Sequence, residues 1–311
     1  MSHLISTAHL STEQKALFQQ LTRAPKVAWI TVSMCAALAV GVISSDVLAI
    51  AGLIPLWLGM VLNSVIGYLA FSVVHDAIHR SISSNVTLND WVGRTAVLLV
   101  VPYVHLGLFR WAHIQHHRFA SGARDPDLVF QGPWWQLPFR WAFIDALYFV
   151  HVLRHGDKIS RPFFRKTLYA TAVVAGVLAV LIAAGYGLEI LMLWFLPSRF
   201  IQMALGFSFF WLPHAPHDTP QEQNFTRATT IREGYEWFMD PALQFQNYHL
   251  IHHLYPATPF YNNGKVWRLL ESELRQHDLA IQRGFRIRPE IHLASARPGS
   301  KHAVAARAQV V

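Results

Sequence analysis

The stretch that decides the fold is VAWITVSMCAALAVGVISSDVLAIAGLIPLWLGMVLNSVIGYLAFSVVHDAIH, residues 27–79. From Val27 to Val74 it is almost uninterrupted apolar sequence, broken only by SSD at 44–46. About 20 residues of helix cross a bilayer, so this length predicts two spans, 27–44 and 48–74, joined by a very short turn. The second is long enough to leave the lipid, and its extension carries His75 and His79.

The pattern continues downstream. Residues 95–109 are apolar but interrupted by Pro102 and too short to cross, which predicts a re-entrant or interfacial segment. Residues 121–133 read as a loop through their Asp-Pro and Gly-Pro steps. WWQLPFRWAFIDALYFVHVLRH, 134–155, is aromatic, amphipathic and basic-ended, as suits a helix lying in the interface, with Trp134, Trp135 and Tyr148 as its aromatic belt. Two more spans follow at about 167–185 and 189–212, joined by YGLE. Before Val27 the chain is polar, with Ser11 and Gln14 spaced as a capping box. It lacks the basic-then-apolar pattern of a cleaved signal. The end, ASARPGSKHAVAARAQVV (294–311), has the composition of a disordered tail. The expected fold is therefore all-α: an integral membrane protein with about four transmembrane helices in two hairpins, and a cytosolic helical cap. Residues 1–26 form an N-terminal segment, 27–270 the membrane domain and 271–311 a C-terminal tail.

Composition agrees with this. Hydrophobic residues are 53% and charged residues 14% of the 311, against about 25% charged in soluble domains. The single cysteine, Cys35, excludes an internal disulfide and a cysteine-based metal cluster. The net charge is +8, but the basic residues flank apolar spans and form no nucleic-acid-binding patch. The short turns near 44–47 and 185–189 contain no Lys or Arg. Nearly all basic residues lie in the N-terminal segment, in 75–166 and after 213, which places these regions and both termini in the cytoplasm.

The same regions hold most of the 18 histidines. Three boxes stand out: HDAIH (His75, His79), HIQHH (His113, His116, His117) and NYHLIHH (His249, His252, His253). Positions i, i+3 and i+4 share a helix face, so each box aims its imidazoles at one point. Eight converging imidazoles exceed what one tetrahedral ion uses, and two metals are implied. All-nitrogen ligation suits iron, copper, nickel or zinc alike. His214 and His217, in WLPHAPHD, end the last span at the same level, and one of them is expected as a ninth ligand. Asp76, Asp125, Asp127 and Asp218 lie in or beside the boxes and are expected to accept the other N–H of ligating histidines. His105 reads as a packing histidine, and His151 and His155 as residues of the interfacial helix. Arg199 is a lone charge in the last span, and a functional role, snorkelling and an internal pair are all open. A metal transporter is disfavoured because its ligands belong near mid-membrane, whereas these lie beyond the lipid on one side.

In this order the boxes resemble those of the membrane fatty acid desaturase superfamily. VHDAIHR, HIQHHRFASGARDPD, WLPH and NYHLIHHLYPATPFY look most like the desaturase-type β-carotene hydroxylases, over about residues 50–270. The resemblance implies a non-haem di-iron centre, two Fe ions held by the box histidines on a helical membrane scaffold. It also implies O2 as co-substrate, electrons from reduced ferredoxin or a similar donor, and a bacterial inner membrane. The substrate would be a long lipid, carotenoid-like or a fatty acyl chain, hydroxylated or desaturated at an unactivated C–H bond.

Overall fold

The computed structural model describes residues 5–294. Helix α1 (Thr12–Leu21) carries the expected capping box, closed by the Ser11 side chain on one side and Gln14 on the other. Helices α2 (Trp29–Ile50) and α3 (Leu56–His79) form the first hairpin. Its turn is not at SSD. Ser45 is buried, and Asp46 accepts a hydrogen bond from Asn63 Nδ2 at 2.7 Å, so polar residues remain within the helix. The chain breaks instead at Gly52, whose φ of +72° suits glycine, and at Pro55 before α3.

Helices α4 (Val86–Val100) and α5 (Leu106–Phe119) make the re-entrant segment, which begins earlier than its apolar run suggested. Close approach to α3 explains why α4 can enter the lipid. A Cβ on Gly93 would lie 2.3 Å from that of Ala77, and one on Gly67 would lie 3.1 Å from the Leu99 carbonyl oxygen. Small residues of this kind let membrane helices pack backbone to backbone. Gly67 is twelve residues from His79 on α3, about 18 Å of helix. Leu99, near the tip of α4, therefore lies about 18 Å along α3 from His79 before the chain returns. His105 caps α5, its Nδ1 accepting from the Gly107 N–H at 3.0 Å, and stacks on Phe163.

The expected interfacial helix is two helices, α6 (Leu137–Ala142) and α7 (Ile144–His155), broken at Phe143. Trp134 and Trp135 are exposed as an interfacial belt requires. Tyr148 departs from the belt and packs inward against Phe130 and Phe210. The second hairpin joins α8 (Ser160–Ala183) to α9 (Gly187–His214), giving four helices long and apolar enough to cross a membrane among the described residues. Wide π turns at Leu191–Phe195 and Gly206–Trp211 change the phase of α9, the second just before His214. Arg199 makes an internal pair, its guanidinium 2.8 Å from Asp145 at the start of α7.

The cap contains α10 (Glu236–Ala242), α11 (His249–Leu254) and α12 (Asn263–Leu274). It also holds a small sheet that the all-α expectation omitted: β1 (Thr230–Glu233) parallel to β2 (Leu279–Arg283), and β2 antiparallel to β3 (Glu290–His292). Strands of three to five residues, the first pairing with the second across some fifty residues of sequence, leave too little local pattern to read. Leu250, Ile251, Val266, Leu270, Leu274 and Leu279 form the cap core behind the third box, so residues 271–293 contribute strands to the cap. The tail expected to be disordered lies, from 295 on, outside the described residues.

Candidate metal centre

Each box reaches the centre by a different helix. The last turn of α3 supplies His75 and His79, α5 supplies His113, His116 and His117, α11 supplies His249, His252 and His253, and the tight final turn of α9 supplies His214. The third box is held against the first. Gln244 donates to the Tyr68 carbonyl at 2.9 Å and accepts from the Ser72 hydroxyl, both on α3. This grip also sustains the left-handed Gln244 and Phe245, at φ +50° and +61°, which turn the chain into the box.

The nine histidines form two groups. His75, His79, His113 and His252 each place a ring nitrogen within 4.8 Å of the others. His117 adjoins them, its Nε2 3.1 Å from that of His113 and 2.8 Å from that of His252. The second group is His116, His214, His249 and His253. There the His249 Nε2 lies 3.0 Å from that of His214 and 3.2 Å from that of His253. His117 stacks on His253 at 4.2 Å between ring centres and joins the two groups.

The chemistry of these nitrogens suits cations. The Nδ1–H of His249 donates to Gln246 Oε1 at 2.7 Å, and that of His253 to Gln221 Oε1 at 3.1 Å. With the proton on Nδ1, each Nε2 is a bare lone pair, and these two lone pairs face one another. Two nitrogens held about 2.1 Å from one ion and at right angles are about 3.0 Å apart, close to the spacings found. The Nε2 atoms of His75 and His79 are buried without a protein partner. Burial first, then the charges of neighbouring imidazoles, holds His113, His117, His249, His252 and His253 well below the ordinary histidine range. All five are thus neutral at pH 7, the form that binds metal. The residues present fit a pair of transition-metal ions.

The carboxylates divide. His116 Nδ1 donates to Asp125 at 2.9 Å and lies 3.2 Å from Asp127. Burial opposes charge on His116, but Asp127 and Asp125 outweigh it and hold the imidazole up at about 9. Burial in turn pushes Asp127 up to about 7 against the pull of His116, and Asp127 also accepts from the Tyr148 hydroxyl. Asp76 and Asp218 do not take the expected place behind a histidine. Asp76 follows His75 by one residue, about 100° around the helix, and accepts from Thr31 Oγ1 at 3.0 Å and the Phe260 N–H at 3.1 Å. Asp218 is exposed and pairs with Arg227. His217 lies outside both groups, its ring against Trp211. It shares the level of His214 but not its direction, because the helix ends at His214 and His217 is left-handed, at φ +65°. His151 and His155 also stay outside, as expected.

Sequence reading missed Gln221 and Gln246. A glutamine three residues before a box histidine is the only local signal for Gln246, and Gln221 has none, since its reach to His253 is tertiary. Asp125→Asn is expected to weaken metal retention about 10–100-fold, the usual cost of removing a partner behind a ligand. Competition with a chelator would measure it, and Asp218→Asn should match the parent in the same assay. Equal retention in both variants would remove Asp125 from the site.

Beneath the histidines runs a narrow apolar cavity of about 50 Å³, lined among others by Phe71, Val104, Leu108, Ala112, Tyr148 and Leu205. Phe71 lies one turn before His75, with ring centres 6.3 Å apart, and Ala112 is next to His113. The cavity thus adjoins the imidazoles through the residues next to them in the chain.

Comparison with known proteins fits this arrangement. The family model "Fatty acid desaturase" matches residues 47–285. A β-carotene ketolase of Paracoccus sp. (strain PC1) is 27% identical over 226 residues, which is 72% of this chain and 77% of that protein. A β-carotene ketolase of Paracoccus sp. (strain N81106 / MBIC 01143) is 28% identical over 250 residues, 78% of this chain and 86% of its own. The sn-1 oleoyl-lipid 12-desaturase of Arthrospira platensis is 41% identical over 51 residues, 16% of this chain and 14% of its own.

Proposed function

Because the chain belongs to the fatty acid desaturase family of membrane oxidoreductases, we propose that it is a non-haem di-iron enzyme that uses O2 to oxidise a C–H bond of a carotenoid-like lipid. The observation that carries this is the meeting of two buried imidazole groups beside an apolar cavity. His75, His79, His113, His117 and His252 would hold one iron. His116, His214, His249 and His253 would hold the other, with Asp125 and Asp127 behind His116. His217, Asp76 and Asp218 have no part in it. When bound, the irons supply activation of O2 for attack on an unactivated C–H bond.

The protein's own residues do the rest. Gln246 and Gln221 hold the Nδ1 protons of His249 and His253, which fixes ring orientation and leaves Nε2 free, and Asp125 accepts from His116 Nδ1 and orients that ring. The apolar lining from Phe71 to Ala112 excludes water and presents one carbon of a long chain at a fixed depth. Placement decides outcome in such a site, since a displacement of about 1 Å can cost about a hundredfold in rate. The two carotene ketolases, each matched over more than two thirds of its length, favour a ring carbon of a carotenoid. The narrowness of the cavity and the short match to a lipid desaturase support acyl-chain desaturation as the second reading. Electrons would come from a reduced ferredoxin-type protein on the cytoplasmic side, where the basic regions lie.

The test is expression with a ferredoxin and its reductase in a host that makes β-carotene, followed by mass spectrometry of all extracted lipids. New oxygenated carotenoids, absent without the enzyme, are expected. Unchanged carotenoids with a new unsaturated acyl chain would replace this reading by the second.

A further inference from the structure

A larger cavity, of about 660 Å³, lies deeper in the bilayer between the two hairpins. Its volume falls within the range of small-molecule sites, and its origin is architectural. The α4–α5 re-entrant pair fills only the histidine side of the bilayer, so a gap remains beneath its elbow at Val100 and Pro102. Most of the wall is apolar, but Asp46, Asn63 and Glu189 are not. Asn63 is 4% exposed; its Nδ2 donates to Asp46 and to the Leu193 carbonyl, while its Oδ1 is buried with no protein partner. Glu189 Oε2 is likewise buried and unpartnered. Unsatisfied acceptors are costly away from water; Asn63, at 4% exposed, is such a case, and Glu189 adds a second acceptor at the start of α9.

The cavity adjoins the narrow one under the histidines, since Val100 lines both. Asn63 and His75 are twelve residues apart on α3, about 18 Å of helix. A molecule reaching from one to the other is long, apolar along its length and polar at its far end.

We propose that this cavity is a distal subsite in which Asp46, Asn63 and Glu189 receive a hydroxyl on the far end of the substrate. The assignment rests on the lipid-oxidation reading above. It makes the enzyme prefer long molecules already hydroxylated at the end away from the reacting carbon, over those unsubstituted there. A keto oxygen, being an acceptor, gains nothing from the orphaned oxygens. The substrate is thus the product of an earlier hydroxylation.

The test uses the full chain in lipid nanodiscs and has two arms. The first compares a long-chain alcohol, brominated beside its hydroxyl, with the same brominated chain lacking the hydroxyl. Trp194 lines the cavity, and its quenching is isolated as the difference between the protein and its Trp194→Phe variant. The alcohol is expected to half-quench at about tenfold lower mole fraction, the worth of about one hydrogen bond. Glu189→Leu should abolish that preference, and Glu189→Gln, which keeps an acceptor oxygen, should retain part of it. Equal quenching by both probes overturns the proposal.

The second arm compares turnover of a polyene bearing a far-end hydroxyl with that of the unsubstituted polyene. A kcat/KM ratio of about ten is expected, falling toward one in Glu189→Leu. Preference in quenching without preference in turnover would give the cavity to a membrane alcohol and overturn the substrate assignment. Preference in quenching in a protein that oxidises neither polyene would uphold the hydroxyl site while overturning the reaction it was assigned to serve.

Discussion

Replacing His253 by alanine is expected to strip metal from the second histidine group and to abolish turnover. His253 is 4% exposed, its Nε2 lies 3.2 Å from that of His249, and its Nδ1–H is held by Gln221. Loss of a partner behind a ligand costs about 10–100-fold in metal affinity, so loss of the ligand itself should exceed a hundredfold. Total metal in the purified protein should fall by about half, provided that His75, His79, His113, His117 and His252 keep the other ion. Plasma emission spectrometry reads this directly, beside product formation in membranes. His214→Ala and His217→Ala separate the two candidates for the ninth ligand. His214→Ala should behave like His253→Ala. His217→Ala, whose ring rests on Trp211 away from both groups, should retain full metal. A metal-replete, active His253→Ala would end the two-group assignment.

The sequence revealed those parts of this site that depend on local geometry. His-x-x-His-His within a helix places three rings on one face whatever the surroundings, which is why all eight box histidines converge as expected. The apolar runs fixed the hairpins for a similar reason, because the bilayer imposes a length. Where a residue's role depends on tertiary neighbours, sequence reading failed in identifiable ways. SSD reads as a turn because it is the polar break in the apolar run, but Asn63 on the next helix supplies the hydrogen bond of Asp46 and keeps it in α2. Asp76 and Asp218 were grouped with Asp125 and Asp127 by proximity in the chain, yet only the latter two face an imidazole. Tyr148 seemed one of a belt of interfacial aromatics until the break at Phe143 turned α7 inward. His217 shares its level with His214 at the end of the last span, but the chain leaves the helix at His214 and turns its ring away.

The cavity beneath the histidines gives a second large effect, one that separates chemistry from access. Val104 lies on the return from the elbow to α5 and lines the cavity without belonging to either histidine group. In Val104→Phe the added ring would occupy most of a space of about 50 Å³. Overpacking of this kind costs about 1–3 kcal/mol of stability, which a chain with this much buried membrane contact should survive. The bound metal should be unchanged, because Val104 belongs to neither histidine group. Turnover, in contrast, should fall by about a hundredfold, as expected when the reacting carbon is held 1 Å or more from its proper depth. Val104→Ala should have the opposite character, keeping activity and admitting bulkier chains. Metal content, thermal unfolding in detergent and product yield, measured on the same preparations, distinguish these effects. If Val104→Phe turned over at the parental rate with the same products, the substrate would have to reach the imidazoles by another route, and the narrow cavity would be a packing defect only.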